Sequence, residues 1–176
     1  MMEGKVVRLV ALEGKHLDEI MKRWNDPEMR AFLGPYIPHS RIQQTEWMES
    51  VETRRKNMQA FFFAIERIKD NAFLGTLSVH NIDWISRTAR TGIVIHRKEN
   101  WGKGFGSEAF GLLIEYCWKH LNLRRLELSV HTFNERAIRV YEKLGFRLIG
   151  TAHGLVYING KHVDTHHMEL IREDRE

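Results

Sequence analysis

One cysteine in 176 residues leaves no partner for an intrachain disulfide and no Cys pair for a structural zinc site. Three prolines, with no Pro-rich or Gly/Ser-rich run, leave no linker, and no repeat or low-complexity tract occurs. A single domain over residues 1–176 is expected, with 43% hydrophobic residues to fill its core. No apolar run approaches the roughly 20 residues that span a bilayer. The first strand-like segment after Met1-Met2-Glu3-Gly4-Lys5 is too short and too charged for a signal peptide. Charge of one sign is also lacking: 27 basic residues face 23 acidic ones, net +4, without a long basic run. These absences predict a cytoplasmic protein with neither a membrane nor a nucleic-acid partner.

What is present is an unusual glycine pattern. Asn100-Trp101-Gly102-Lys103-Gly104-Phe105-Gly106-Ser107-Glu108-Ala109 opens into an apolar-periodic segment reaching Leu121. Glycines at 102, 104 and 106 permit positive φ and leave no Cβ in a ligand's way. Consecutive N–H groups can therefore converge on an anion at the positive end of the following helix. Lys103 adds a full charge, and Arg97 and Lys98 flank the same loop. The loop is not a Walker motif, since no G-x-x-x-x-G-K-[ST] occurs. Residues 104–109 do fit the G-x-G-x-x-A dinucleotide fingerprint, with Glu127 roughly 20 residues on. Against that reading, residues 96–101 separate the glycines from the preceding strand, and too little chain follows to complete a doubly wound sheet.

Hydrophobic periodicity orders the rest. Residues 6–12 read as a strand, and Leu17, Ile20, Met21 and Trp24 have helical spacing that Asn25-Asp26-Pro27 ends. Ser40-Arg41-Ile42-Gln43 resembles a capping box opening a helix to about Asn57. Residues 60–65 and 73–79 form a hairpin about Lys69-Asp70-Asn71, and residues 89–96 a further strand. After the glycine loop and its helix come a strand over 125–131 and a helix over 134–144 stopped by Gly145. Strands over 146–158 and 162–171 meet at Asn159-Gly160, a strong two-residue hairpin signal. The fold class is a mixed α/β (α+β) sheet with helices on both faces.

This order, together with Trp101-Gly-Lys-Gly-Phe-Gly106 and Asn134-Glu-Arg-Ala-Ile-Arg-Val-Tyr141-Glu-Lys-Leu-Gly-Phe146, resembles the GNAT superfamily of acetyl-CoA-dependent N-acetyltransferases. Trp24-Asn25-Asp26-Pro27-Glu28 and the hairpin at Ile158-Asn159-Gly160 are similar to its branch of ribosomal-protein N-terminal and spermidine acetyltransferases. The resemblance implies a mostly antiparallel sheet splayed at the cofactor site, acetyl-CoA as donor, no metal, and an amine acceptor: a protein N-terminus or a small amine. It also implies a monomer or homodimer. Carried onto this sequence, the pyrophosphate loop falls on Trp101, Gly102, Lys103, Gly104, Phe105, Gly106 and Ser107. Trp101 departs from the usual arginine or glutamine. The pantetheine arm would pair with the backbone of Val94, Ile95 and His96, with Asn134 and Ala137 beside it.

Tyr141 matches the tyrosine that faces the departing thiolate in many relatives. It also lies on the apolar stripe Ala137, Val140, Tyr141, Leu144, where a tyrosine can be plain core. Arg90 stands where relatives in this branch often carry a glutamate, so no acid is assigned as base there. His80, Asp83 and His131 are the remaining candidates. His162 and His166 share a strand face without further metal ligands, and Cys117 sits mid-helix in an apolar setting with no activating base. Between Glu13 and Lys56 eight acidic residues meet eight basic ones, giving no net attraction for a polyamine. A protein α-amine is the expected acceptor, spermidine-type amines the alternative, and a non-catalytic acyl-CoA-binding module the contrasting class.

Overall fold

The computed structural model describes residues 2–173. Strands β1 (Met2–Glu3) and β2 (Val7–Ala11) lead into α1 (Leu17–Trp24), α2 (Pro27–Arg30) and α3 (Arg41–Lys56). Strands β3 (Phe61–Arg67), β4 (Phe73–Asp83) and β5 (Thr88–Ile95) follow, then α4 (Phe105–Lys119), β6 (Arg125–His131), α5 (Glu135–Lys143), β7 (Arg147–Ile158) and β8 (Lys161–Ile171). All eight strands form one sheet in the order β1-β2-β3-β4-β5-β6-β8-β7. Every neighbouring pair is antiparallel except β5 and β6. That topology excludes the doubly wound alternative, which needs a mostly parallel sheet.

Local chemistry explains the element ends. Ser40 Oγ accepts from Gln43 N while Gln43 Oε1 accepts from Ser40 N, the reciprocal capping box the sequence predicts. Asn159 and Gly160 take φ of 49° and 81°, as a two-residue hairpin turn with two positive φ values requires. Helix α2 departs from expectation. Asp26 caps it through Glu28 N at 2.9 Å and Pro27 occupies its first turn, so the residues that end α1 also start a new helix.

Side chains alternate across the strands, and the two faces bury separate cores. Phe110, Leu113 and Cys117 of α4 pack with Leu126, Leu128 and Val130 on one face. On the other, Leu17 and Ile20 of α1 and Met48 and Val51 of α3 pack on Ala64. The Glu108 carboxylate anchors the start of α4 by accepting from the backbone N–H groups of Lys5, Val6 and Val7. The end of the glycine loop is thereby tied to the far edge of the sheet.

Candidate active site

The β5–β6 pairing is short. It joins Thr88, Ala89 and Arg90 to Arg125, Leu126 and Glu127 and then stops, although β5 continues to Ile95 and β6 to His131. Beyond the last pair, Thr91 Oγ1 donates to Glu127 O at 3.3 Å, a side chain standing in for the ladder. The strands splay from there, and a cleft of ≈ 820 Å3 occupies the fork. Its lining comes from both faces of the sheet: Trp24, Met29, Trp47 and Phe62 on the α1–α3 side, and Ala137, Val140 and Tyr141 on the α5 side.

Gly75 holds β5 close on its other edge. A Cβ there would lie 1.9 Å from Val94 O, so only glycine lets β4 approach that carbonyl. His96 N donates to Leu74 O at 2.9 Å, which turns the backbone of His96 toward β4. Because strand residues alternate, Val94 shares that direction, while Ile93 and Ile95 present their backbone groups to the fork. Ile95 O is already engaged by Trp101 Nε1 at 2.9 Å. Of the three strand residues expected to pair with a cofactor arm, Val94 and Ile95 line the cleft and His96 does not. His96 is 3% exposed, its ring edge-on to Phe73 and tilted against Trp24 with both nitrogens unpartnered, and burial pushes it down to about 4.

Gly104, at φ 83°, precedes α4, and Gly102 is also left-handed at φ 72°. The amide N–H groups of residues 102–107 donate to nothing among the described residues, and a Cβ at 102 or 104 would meet open space. Such a row of free donors at a helix start fits a pyrophosphate. Trp101, Gly102, Gly104, Gly106, Ser107 and Asn134 line the cleft, and Asn134 Oδ1 also caps α5 through Ala137 N at 3.3 Å. Lys103 and Phe105 do not line it, since the Phe105 ring is drawn into the core.

Three cations escaped sequence reasoning. Arg136, Arg139 and Lys143 stand at i, i+3 and i+7 on α5 and all line the cleft, a spacing visible in the sequence once the helix is known to border a ligand site. The Arg136 guanidinium lies 4.0 Å from the Trp101 ring centroid and makes no ion pair among the described residues. Phe32 meets Trp101 edge-on at 5.4 Å and Phe133 at 5.6 Å, so Trp101 joins a cluster that closes one side of the fork.

The base candidates separate. Asp83 accepts from Ile85 N, Ser86 N and Ser86 Oγ, a turn-closing role that holds its carboxyl below the usual range and keeps it outside the cleft. His80 pairs its Nδ1 with Ser78 Oγ at 3.2 Å and likewise lies outside. His131 lines the cleft. Tyr141 is 7% exposed, packed on Phe110 and Phe146, and its hydroxyl hydrogen-bonds to no group among the described residues. Burial pushes it up to about 12, so it is a proton donor at any working pH. Cys117 is wholly buried with its thiol pushed up to about 12, which excludes a resting thiolate nucleophile. His162 bonds to Gly154 O and His166 to Thr151, and no metal-sized His/Cys/Asp/Glu cluster occurs among the described residues.

Residues 7–147 match the family described as Acetyltransferase (GNAT) domain. Among relatives, the probable N-acetyltransferase YjcK of Bacillus subtilis is 32% identical over 141 residues, 80% of this chain and 75% of that protein. Spermidine N-acetyltransferase from Vibrio cholerae, solved with CoA and spermine, superposes with a TM-score of 0.85 at 25% identity, covering 94% of this chain and 95% of that one. The ribosomal-protein-S5-alanine acetyltransferase from Vibrio fischeri has the same fold, with a TM-score of 0.86 at 23% identity over 99% of this chain and 97% of that one. No described helix is long and apolar enough to cross a membrane. With the family matched across most of its length and a CoA-bound relative sharing the fold, the chain belongs to the GNAT acetyltransferases, enzymes that move an acetyl group from acetyl-CoA to an amine.

Proposed function

We propose that this enzyme acetylates the α-amine of a polypeptide N-terminus, in the cytoplasm, using one domain for both donor and acceptor. The observation that carries the reading is the charge of the cleft. Arg136, Arg139 and Lys143 line it, and no aspartate or glutamate among the described residues does. A polyanionic donor suits that lining, whereas a polyamine would enter without a counter-charge. Several acids on the acceptor-side helices are already engaged: Asp18 with Arg41, Glu19 with Lys22 and Arg97, and Glu28 with Lys98, whereas Glu46 and Glu49 of α3 have no ion pair among the described residues and lie outside the cleft lining. Glu127 and Glu169 on the open sheet face share Arg125. At pH about 7.5 an α-amine is about one third neutral and a lysine about one part in a thousand, so the α-amine needs less help from a base.

In this reading the free amides of residues 102–107 hold the pyrophosphate, with α5's cations nearby. The open edge at Ile93 and Ile95 aligns the pantetheine arm beside Asn134 and Ala137. Tyr141 gives its proton to the leaving sulfur. Attack is direct, with no acyl-enzyme.

Comparing kcat/KM for unblocked peptides, their N-terminally blocked lysine-containing counterparts and spermidine tests the acceptor. The unblocked peptides are expected to be the fastest by an order of magnitude or more. Faster turnover of spermidine than of any peptide would overturn the α-amine assignment and leave the acetyl-CoA site standing.

A further inference from the structure

The splay separates two surfaces that a transfer reaction needs on opposite sides of the thioester. Tyr141 approaches the fork from the α5 face. The other face can be read from register. Phe62, which packs under α3, pairs with Ser78, Ser78 with Gly92, and Arg90 with Glu127. Alternation along β6 then puts Glu127, Ser129 and His131 on the acceptor face, and β8 adds Thr165 and His167 opposite His131 and Ser129. Ser129 is occupied: Arg90 NH2 donates to its Oγ at 2.7 Å, and the same Oγ hydrogen-bonds to His167 Nδ1 at 3.0 Å. His131 is the acceptor-face side chain with basic capacity left inside the cleft.

We propose that His131 is the general base of acetyl transfer. The residue is 8% exposed, its ring is stacked on Phe133 at 5.6 Å, and its Nδ1 lies 3.1 Å from Thr165 Oγ1. That contact holds the ring's orientation, and in the tautomer whose Nδ1–H donates to the hydroxyl the Nε2 lone pair is left for the acceptor. As the amine nitrogen bonds to the carbonyl carbon, Nε2 takes the proton that the nitrogen loses. As the carbon–sulfur bond breaks, the Tyr141 hydroxyl hands its proton to sulfur. Loss of the imidazolium proton and gain of one by the phenolate, both through solvent, restore the enzyme with no net change in protons. Burial also lowers the basicity of this imidazole, which keeps it neutral and ready to accept at neutral pH. The charged and titratable side chains on the same sheet face are Arg90 from β5 and His167 from β8, both in contact with Ser129, and Glu127 from β6, paired with Arg125; Arg136 from α5 lies over the Trp101 ring.

The assignment makes a prediction about slope. For an amine acceptor, log(kcat/KM) falls with slope one as pH drops below the amine's own pKa. A base inside the enzyme adds a second unit of slope below its pKa, at a pH under 6.5. The assay uses acetyl-CoA with whichever of an unblocked peptide and spermidine the wild type turns over faster, so it does not depend on the α-amine assignment. His131→Gln should lower kcat by about 10²-fold and remove the second unit of slope. His131→Ala should be partly rescued by added imidazole, which a merely structural role would not allow. His167→Gln, altering the other histidine on that face, should retain the second slope. Activity of His131→Gln within a few-fold of wild type, or a second slope that survives it, would overturn the proposal. So would imidazole failing to rescue a His131→Ala protein whose circular dichroism shows it folded.

Discussion

Tyr141→Phe is expected to lower acetyl transfer by about 10²-fold or more while leaving the unfolding temperature near that of the wild type. The two expectations have one cause. The Tyr141 hydroxyl has no hydrogen-bond partner among the described residues, so deleting it costs the fold no bond, and the ring keeps its packing on Phe110 and Phe146. A hydroxyl left without a partner on a residue that lines an open cleft is instead available to a ligand. With this phenol at about 12 and a free thiol at about 8.5, complete transfer to a resting thiolate is uphill by ~3.5 units, about 5 kcal/mol. Tyr141 therefore stabilises developing charge on sulfur by a hydrogen bond, and the proton crosses only as the carbon–sulfur bond opens. A plain core tyrosine predicts the reverse, normal turnover with changed stability. Transfer rate and thermal unfolding on one preparation separate the two.

His96 should make the fold acid-sensitive. Its ring is neutral in the native state and holds out against protonation until about pH 4, whereas the unfolded chain protonates it near 6.5. Its stabilising contribution is thus whole above about pH 6.5, is lost progressively as the pH falls toward 4, and changes no further below that. Lowering from 6.5 to about 4 corresponds to about 3 kcal/mol, large against a typical net stability. His96→Leu removes a ring whose nitrogens are unpartnered in an apolar setting, so stability at pH 7 should hold or rise and the loss between pH 6.5 and 4 should shrink by about that amount. Denaturant midpoints at pH 7 and pH 4 measure it. His16, His39, His80 and His131, also held below 6.5 chiefly by burial, add acid sensitivity in the same direction. An unchanged difference between the two pH values in His96→Leu would refute the account.

Much of this was legible in the sequence wherever the signal is local. The capping box at Ser40 and Gln43, the turn at Asn159-Gly160 and β6 over Arg125–His131 appear as the residues predict, because short-range geometry decides them. Helix α2 was hidden because an Asx-Pro pair is at once a stop for one helix and a start for the next. The glycine loop could be read from spacing alone. The fork was expected only through the family resemblance, because where β5 parts from β6 depends on a register between strands thirty-odd residues apart. For the same reason the sequence could not tell His131, which reaches the cleft, from His80 and Asp83, which satisfy themselves locally. It also could not foresee that His96, one residue past β5, turns away into an aromatic pocket. Trp101, a departure when read as a motif position, makes sense only in three dimensions, where it locks Ile95 O and carries Arg136 on its face.

Calorimetric titration of CoA into the wild type and into Gly104→Val tests the central claim most directly, that the backbone of the glycine loop holds the donor. Gly104 sits at φ 83° in open space, so valine there brings strain and a branched side chain into the row of free amides rather than a clash with the core. The account predicts clear binding to the wild type and binding weakened at least tenfold in Gly104→Val, with a smaller loss in Lys103→Ala, whose exposed charge is screened. Wild-type affinity in a folded Gly104→Val protein would contradict it.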